Sequence, residues 1–204
     1  MKCIVRRLSE PVTNEALPVL KDIQIKEYAM ANEPKQYINI VEALQGQGYN
    51  AIKISMVAIS SANNLDAYMW APNSYVSCDQ TSSGGVITLR GTYAAAKTRV
   101  TIQANTEQHI TLDGYNKKIV INDTEENRDS ISASSPASFC VLGYPSMTLS
   151  SINMIKLKKI EIFVGSTDEL LASLVPAIYE GIPCLYDTIN SKAYYANSGT
   201  ISVE

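Results

Sequence analysis

The segment Ile52-Lys-Ile-Ser-Met-Val-Ala58 has the period-two pattern of an extended chain. Every second residue from Ile52 to Ala58 is apolar and falls on one face, and Lys53 and Ser55 begin the other face. Successive side chains of a strand point to opposite faces, so this pattern predicts a strand with one buried face and one face in water. Such strands are typical of antiparallel sheets.

The same alternation recurs further along the chain. In residues 99–105, Val100 and Ile102 alternate with polar side chains, and in residues 158–164 the pattern places Ile160 inward and Phe163 outward. These segments predict two more strands with one face in water.

Turn residues join other strand-like segments into hairpins. Asp113-Gly114 stands between residues 109–112 and 115–121, and its tolerance of positive φ suits a two-residue hairpin turn. A second hairpin is predicted from residues 183–186 to residues 192–195, because Asn and Ser supply turn chemistry between them.

Length and composition describe one globular unit. The chain has 204 residues, 46% of them hydrophobic, and carries 17 Lys and Arg against 20 Asp and Glu. Roughly ten to fourteen short strands at regular spacing predict an all-β fold, an antiparallel two-sheet jelly-roll sandwich. One helical turn is predicted at residues 166–174, where Ser166 and Thr167 precede two acids as in a capping box and Pro176 would stop the helix.

The chain divides into two unequal parts. Residues 1–22 contain prolines and scattered charges that break any regular element, and they are predicted to form an N-terminal docking arm. Residues 23–204 are predicted to form a single β-sandwich domain.

Several classes of partner are excluded at this stage. A net charge of −3 supplies no basic field for phosphates, so we expect no nucleic-acid partner. Apolar runs fall well short of the ~20 residues that cross a bilayer, so no membrane partner is expected either. Arg6 and Arg7 interrupt the place where a signal peptide needs apolar residues, and the chain is expected to assemble in a cytoplasm.

Residues for catalysis or metal binding are sparse. The four cysteines lie far apart and are expected to be buried thiols, and His109, the only histidine, is expected to be an ordinary strand or turn residue. No paired-carboxylate strand motif, nucleophile elbow or phosphate loop occurs, so we expect no enzyme, no catalytic residue, no metal and no cofactor. The acidic loop at residues 122–138 is expected to be solvated, with a calcium site as the alternative.

One strand carries candidate binding residues. If Leu65 and Met69 face the core, then Asp66, Tyr68 and Trp70 face outward. An exposed indole beside a phenol offers an apolar face on which a sugar ring stacks, and Asp66 would accept hydroxyl protons. The opposite register would bury Trp70, which then has no binding role.

The last third of the chain contains a series of short motifs. They are Ile160-Glu-Ile-Phe163, Leu174-Val-Pro-Ala177, Gly181-Ile-Pro-Cys-Leu-Tyr-Asp187, Lys192-Ala-Tyr-Tyr195 and Ala196-Asn-Ser-Gly-Thr200, with Glu27-Tyr28 and Gln36-Tyr-Ile-Asn39 upstream. This order resembles the concanavalin-like or laminin-G-like jelly-roll module of virion appendage proteins in tailed phages and prophages of gut bacteria. Residues 1–22 have no counterpart in that pattern.

The resemblance implies a non-enzymatic structural or attachment protein of a phage particle, such as a head fibre, decoration or tail appendage. It implies location in the virion, other virion proteins as partners of the arm, and a homo-oligomer, a dimer or trimer. The alternative is a lectin-like module that binds host surface glycans. Sandwich folds carry unrelated activities, so the resemblance does not decide between them.

Overall fold

The computed structural model describes residues 22–33, 35–60, 67–71, 74–82, 86–93, 96–127, 135–143 and 155–204. These residues form seventeen strands and two short 3-10 helices, Val41–Leu44 and Tyr49–Ala51. The strands are β1 (Ile23–Ile25), β2 (Ala29–Met30), β3 (Ile38–Asn39), β4 (Ile52–Ser60), β5 (Ala67–Ala71), β6 (Ser74–Ser82), β7 (Val86–Tyr93), β8 (Ala96–Gln103), β9 (Glu107–Asp113), β10 (Lys118–Ile121), β11 (Thr124–Asn127), β12 (Cys140–Val141), β13 (Ile155–Val164), β14 (Leu170–Tyr179), β15 (Ile182–Asp187), β16 (Lys192–Tyr194) and β17 (Ser202–Val203).

The strands form two antiparallel sheets. In the large sheet the order is β11-β10-β9-β4-β13-β14-β15-β16; in addition β1 pairs with β14, β2 pairs with β13, and β17 pairs with β2. In the small sheet the order is β3-β12-β5-β6-β7-β8. Neighbours in space are distant in sequence at several places, for example β9 beside β4 and β4 beside β13, so the fold depends on long-range pairing.

One hydrophobic core lies between the sheets. The large sheet contributes the inward face of β4, with Ile52, Ile54 and Met56 fully buried, and the small sheet contributes Met69 and Val141 to the same cluster. Each sheet therefore covers the apolar face of the other, and the predicted two-sheet sandwich is confirmed.

The strand pattern of β13 also follows the prediction. Ile160 and Ile162 are fully buried, whereas Phe163 lies half-buried on the opposite face. The side chains on the outer face of β4, beginning with Lys53 and Ser55, are likewise only half-buried. The outer face of the large sheet is thus the surface on which these side chains meet.

The predicted helical turn at residues 166–174 is wrong. Asp168 adopts a left-handed φ of 57°, which turns the chain back instead of starting a helix, and β14 begins at Leu170. The strand is flanked by β13 and β15, and this pairing outweighs the local capping pattern. Residues 170–174 are an apolar run because β14 is a central strand.

Pro176 lies inside β14 and does not end it. Its carbonyl accepts a hydrogen bond from the Lys26 amide at 2.8 Å, so this residue's backbone faces the β1 side of the strand. The N–H that proline lacks would point to the same side, and the ladder between β14 and β15 loses no bond.

Both predicted hairpins are present, with one difference in turn length. β9 pairs with β10 so that Asp113 lies opposite Lys118, which leaves a four-residue turn, Gly114–Lys117, instead of two residues. Lys117 takes the left-handed φ of 58°, and the Asp113 carboxylate accepts hydrogen bonds from the Asn116 amide and side chain at 2.9 and 2.8 Å. β15 and β16 form the second hairpin.

The acidic segment that was expected to be a loop contains a strand. β11 pairs with β10, and its four side chains are exposed, so the strand is an edge that the sequence pattern does not reveal. Asp129 lies outside the described residues.

The expected buried thiols are confirmed at Cys140 and Cys184, and His109 is an exposed residue of β9. Cys3, the side chain of Cys78 and the predicted arm of residues 1–22, apart from Asp22, lie outside the description. Within the described part of the chain, no helix combines the length and the apolar character that a bilayer crossing requires.

Candidate functional site

The outer face of the large sheet has an apolar half on β14 and β15. Tyr179 and Tyr186 stack with their ring centroids 5.4 Å apart. Between their positions lies the cross-strand pair of Ala177 and Cys184, both fully buried in the same cluster. Because this half is closed by its own side chains and has few polar groups, it offers little to a hydrophilic ligand.

The other half of this face contains an open groove of about 390 Å³, which is within the usual size of small-molecule sites. We call it the sheet groove. It is lined by side chains from four neighbouring strands: Lys53, Ser55, Thr111, Asp113, Lys118, Val120 and Phe163.

Strand register places four of these side chains in one row across the sheet. Lys118 on β10 lies opposite Asp113 on β9, Asp113 lies opposite Lys53 on β4, and Lys53 lies opposite Phe163 on β13. Opposed residues of antiparallel strands have Cβ atoms about 4.5–5.5 Å apart, so the row is continuous. It runs from a charged end to an aromatic end.

A second row lies beside the first. Val120 lies opposite Thr111, Thr111 opposite Ser55, and Ser55 opposite Glu161. The two hydroxyls at its centre are half-buried and adjacent, and each can both donate and accept a hydrogen bond. The middle of the sheet groove therefore presents neutral polar groups.

Asp113 forms the floor of the groove. It is 3% exposed, and each of its carboxylate oxygens accepts one hydrogen bond from Asn116. A buried charge needs such partners, and here the carboxylate also fixes the turn between β9 and β10. Both oxygens of Asp113 are therefore already engaged by Asn116, and Lys118 and Lys53 lie opposite it on the two neighbouring strands.

The lysines of the groove are paired with acids on its rim. Lys118 donates to Glu125 at 2.9 Å, and Lys53 donates to Asp168. The hydrogen bond raises the pKa of Lys118 and lowers the pKa of Glu125, so both stay charged at neutral pH. Among the described residues, no group of three metal-binding side chains is formed here or elsewhere.

One aromatic ring, that of Phe163, lines the groove, and a second, Tyr115, lies on the turn between β9 and β10. The Lys53 ammonium lies 4.8 Å from the centroid of the half-buried Phe163 ring. Tyr115, 51% exposed, packs directly over Gly165, where a Cβ would come closer to the Tyr115 Cβ than real side chains allow. The Gly165 amide donates a hydrogen bond to the Ala51 carbonyl at 2.8 Å, and the Gly114 amide donates one to the Ile52 carbonyl at 2.9 Å. These two bonds tie both turns to the start of β4.

The arrangement combines features that suit a polyhydroxylated ligand. Phe163 provides an apolar ring face, and Ser55, Thr111 and Lys53 provide hydrogen-bonding groups in the same groove. All of these groups lie on paired strands, and sites built on strands hold their side chains more precisely than sites built on loops.

Two of the three residues that the sequence singled out, Tyr68 and Trp70, lie on the other sheet. Tyr68 and Trp70 belong to β5 of the small sheet, where Trp70 pairs with Tyr75 and Cys140. Met69 is fully buried, as the proposed register requires. Asp66 and the side chains of Tyr68 and Trp70 lie outside the described residues, so a binding role for them stays a prediction.

The sequence analysis missed the sheet groove as a site, although it placed some of its residues on outward faces. Lys53, Ser55 and Phe163 were assigned to the wet sides of their strands. The register that brings β10, β9, β4 and β13 together cannot be read from the local sequence, since the opposed residues Lys53 and Asp113 are 60 positions apart. The signal available in the sequence was a pair of hydroxyl residues, Ser55 and Thr111, at outward positions of two strands.

Comparison with known proteins gives one informative result. No family model matches the chain, and no curated protein matches it. A solved structure from Bacteroides ovatus, described as "a putative carbohydrate binding protein", superposes with a TM-score of 0.53 at 12% sequence identity. The match covers 88% of this chain and 60% of that structure's chain, so this chain spans less than two thirds of that structure's length. At this identity the likeness shows a shared β-sandwich fold.

Proposed function

We propose that this protein is a carbohydrate-binding, lectin-like module, and that the sheet groove holds the sugar. The observation that carries the proposal is the adjacency of the Ser55 and Thr111 hydroxyls to the Lys53 and Phe163 pair on one rigid surface. Hydroxyl-rich ligands need hydrogen-bonding groups beside an apolar face, and this surface has both.

The fold neighbour supports this proposal. Its description names carbohydrate binding, and its sandwich superposes on most of this chain. Carbohydrate binding was the alternative in the sequence analysis, and it now has more support than the phage-particle interpretation. The virion location and a dimer or trimer stay predictions from the resemblance, and the docking arm stays a prediction from the sequence of residues 1–22.

We propose binding without turnover. The carboxylate nearest the centre of the groove, Asp113, is buried and holds the Asn116 turn through both oxygens. Glycoside hydrolysis needs two carboxyl groups across the scissile bond, one of them free to exchange a proton. Glu125 and Asp168 are instead paired with lysines at the rim.

The experiment is a glycan array followed by calorimetric titration of the glycans that bind. Phe163→Ala removes the ring at the end of the groove and is expected to weaken binding about tenfold or more, since a stacked ring contributes roughly 1.5 kcal/mol. The matched control is Tyr195→Ala, which removes a 42% exposed aromatic outside the groove. An array without any bound glycan, or equal losses in both variants, would contradict the proposal.

A further inference from the structure

The charges of the sheet groove bear on which sugars it accepts. Two cations, Lys53 and Lys118, point into it, and each is already paired with an acid, Asp168 and Glu125 respectively. A third acid, Asp113, lies on the floor between them. Counting only these five side chains, three negative charges surround two positive ones.

An acidic sugar would meet this surface at a disadvantage. Its carboxylate can pair with a lysine only if it displaces Glu125 or Asp168, and it then lies close to the displaced acid and to buried Asp113. Exposed ion pairs contribute little on their own, but like charges brought together in a partly buried groove repel. The next acid along the sheet, Glu161, is paired with Lys159 at 2.6 Å, so Lys159 is also already engaged by an acid.

A neutral sugar meets no such obstacle. It leaves both rim ion pairs in place, accepts hydrogen bonds from protons of the lysines that remain available, and bonds to the hydroxyls of Ser55 and Thr111. The hydrogen bond from Lys118 to Glu125 keeps that lysine protonated over a wider pH range.

We infer that the sheet groove selects neutral hexose glycans over hexuronic-acid glycans, and that the rim acids Glu125 and Asp168 enforce this choice. The inference rests on the proposed function and names the ligand class of the same site. It makes Glu125 and Asp168 specificity-determining residues, because they act by repelling the acidic ligand.

The test uses matched pairs of tetrasaccharides that differ only at C6: galactose and galacturonic acid, glucose and glucuronic acid, mannose and mannuronic acid, each with one linkage. Each is titrated calorimetrically into the full-length protein. We expect at least one neutral member to bind and its acidic counterpart to bind about tenfold more weakly or not at all, a difference of about 1.4 kcal/mol.

The decisive variant is Glu125→Gln combined with Asp168→Asn, which keeps side-chain size and leaves both lysines without their acids. It is expected to bring the acidic tetrasaccharide to within about threefold of the neutral one. The control is Glu204→Gln, which removes the acid of another lysine pair, with Lys156, away from the groove. It is expected to leave the ratio unchanged.

The outcomes separate the two proposals. Equal or tighter binding of the acidic member by the unmodified protein, or an unchanged ratio in the double variant, overturns the inference while the proposed function stands. Failure of all six tetrasaccharides to bind the unmodified protein and the double variant counts against both. Circular dichroism of each variant establishes that it is folded.

Discussion

Lys53 and Phe163 occupy opposed positions on β4 and β13, and the ammonium of Lys53 lies over the ring of Phe163. This contact joins the polar part of the sheet groove to its aromatic end. The same ammonium pairs with Asp168, so it is held between an aromatic face and an acid.

Lys53→Met separates the role of this charge in binding from its role in stability. Methionine keeps the apolar stem over Phe163 but removes the donor. The free energy of unfolding is expected to change by less than about 1 kcal/mol, because an ion pair whose acid is largely exposed contributes little. Affinity for a neutral glycan is expected to fall about five- to tenfold through the lost hydrogen bond. Urea unfolding and calorimetry measure the two quantities, and a loss of stability without a loss of affinity would assign Lys53 a structural role only.

Gly165→Ala tests the packing of the two turns that meet at the start of β4. A Cβ at this position would collide with the Cβ of Tyr115 and lie 3.2 Å from the Ala51 carbonyl oxygen, so the turns must move apart. We expect a loss of about 1–3 kcal/mol, which lowers the melting temperature by several degrees.

The second substitution at Tyr115 makes this test specific. Tyr115→Gly in the same chain removes the colliding Cβ and is expected to restore part of the stability, whereas Tyr115→Ala keeps that atom and is expected to restore less. Thermal unfolding of the four proteins checks this order. Equal rescue by both changes would show that the collision is not with the Tyr115 Cβ.

Asp187→Ala tests a buried carboxylate on β15, opposite Leu174 of β14. Asp187 is fully buried, and its oxygens accept hydrogen bonds from the amides of Ser173, Ile189 and Asn190 and from the Asn190 side chain. Removing it leaves several donors unpaired, which is expected to cost about 3 kcal/mol in urea unfolding. Asp123→Ala, at an exposed turn, is the control and is expected to change stability by less than about 0.5 kcal/mol.

The stability of the fold at alkaline pH is expected to depend on three buried groups, Cys140, Cys184 and Tyr194. Burial raises the pKa of Cys140 and of Cys184 from 9.0 to about 11, and burial, helped by Asp187, raises the pKa of Tyr194 from 10.0 to about 12. The neutral forms are favoured in the folded state. The stabilisation of the folded state by these neutral groups is therefore fully present below their unfolded-state pKa values, about 9 for the thiols, and is lost as the pH rises toward their folded-state pKa values. Each thiol contributes a slope of up to about 1.4 kcal/mol of unfolding free energy per pH unit.

Urea unfolding between pH 8 and pH 10 measures this slope. The double variant Cys140→Ala, Cys184→Ala lacks both thiols, and its stability is expected to fall less steeply over that interval. Parallel curves for the two proteins would contradict the assignment of the slope to these thiols.

The sequence predicted those parts of the fold in which a local pattern and the tertiary structure agree. The alternation from Ile52 to Ala58 identified the buried face of β4, and Asp113-Gly114 marked the first hairpin. It failed at residues 166–174, where a capping pattern and a strand compete. The strand forms there because β14 pairs with β13 on one side and β15 on the other, and the local sequence does not reveal this pairing.

The site could be predicted only in part for the same reason. Outward positions such as Ser55 and Phe163 follow from period-two alternation within each strand. Their assembly into one groove depends on the pairing of β4 with β9 and with β13, which is set by turn lengths and long-range register. The sequence-based prediction favoured β5 because a single tryptophan is easily noticed in a sequence, whereas the hydroxyl residues Ser55 and Thr111 are of common types.

A two-dimensional NMR titration of the labelled protein with a neutral oligosaccharide from the array tests the central claim most directly. The account predicts that the largest amide shifts fall on the residues of the sheet groove, with Ser55, Thr111 and Phe163 among them. Shifts centred on Tyr68 and Trp70, or no shift at any concentration of any neutral glycan, would contradict it.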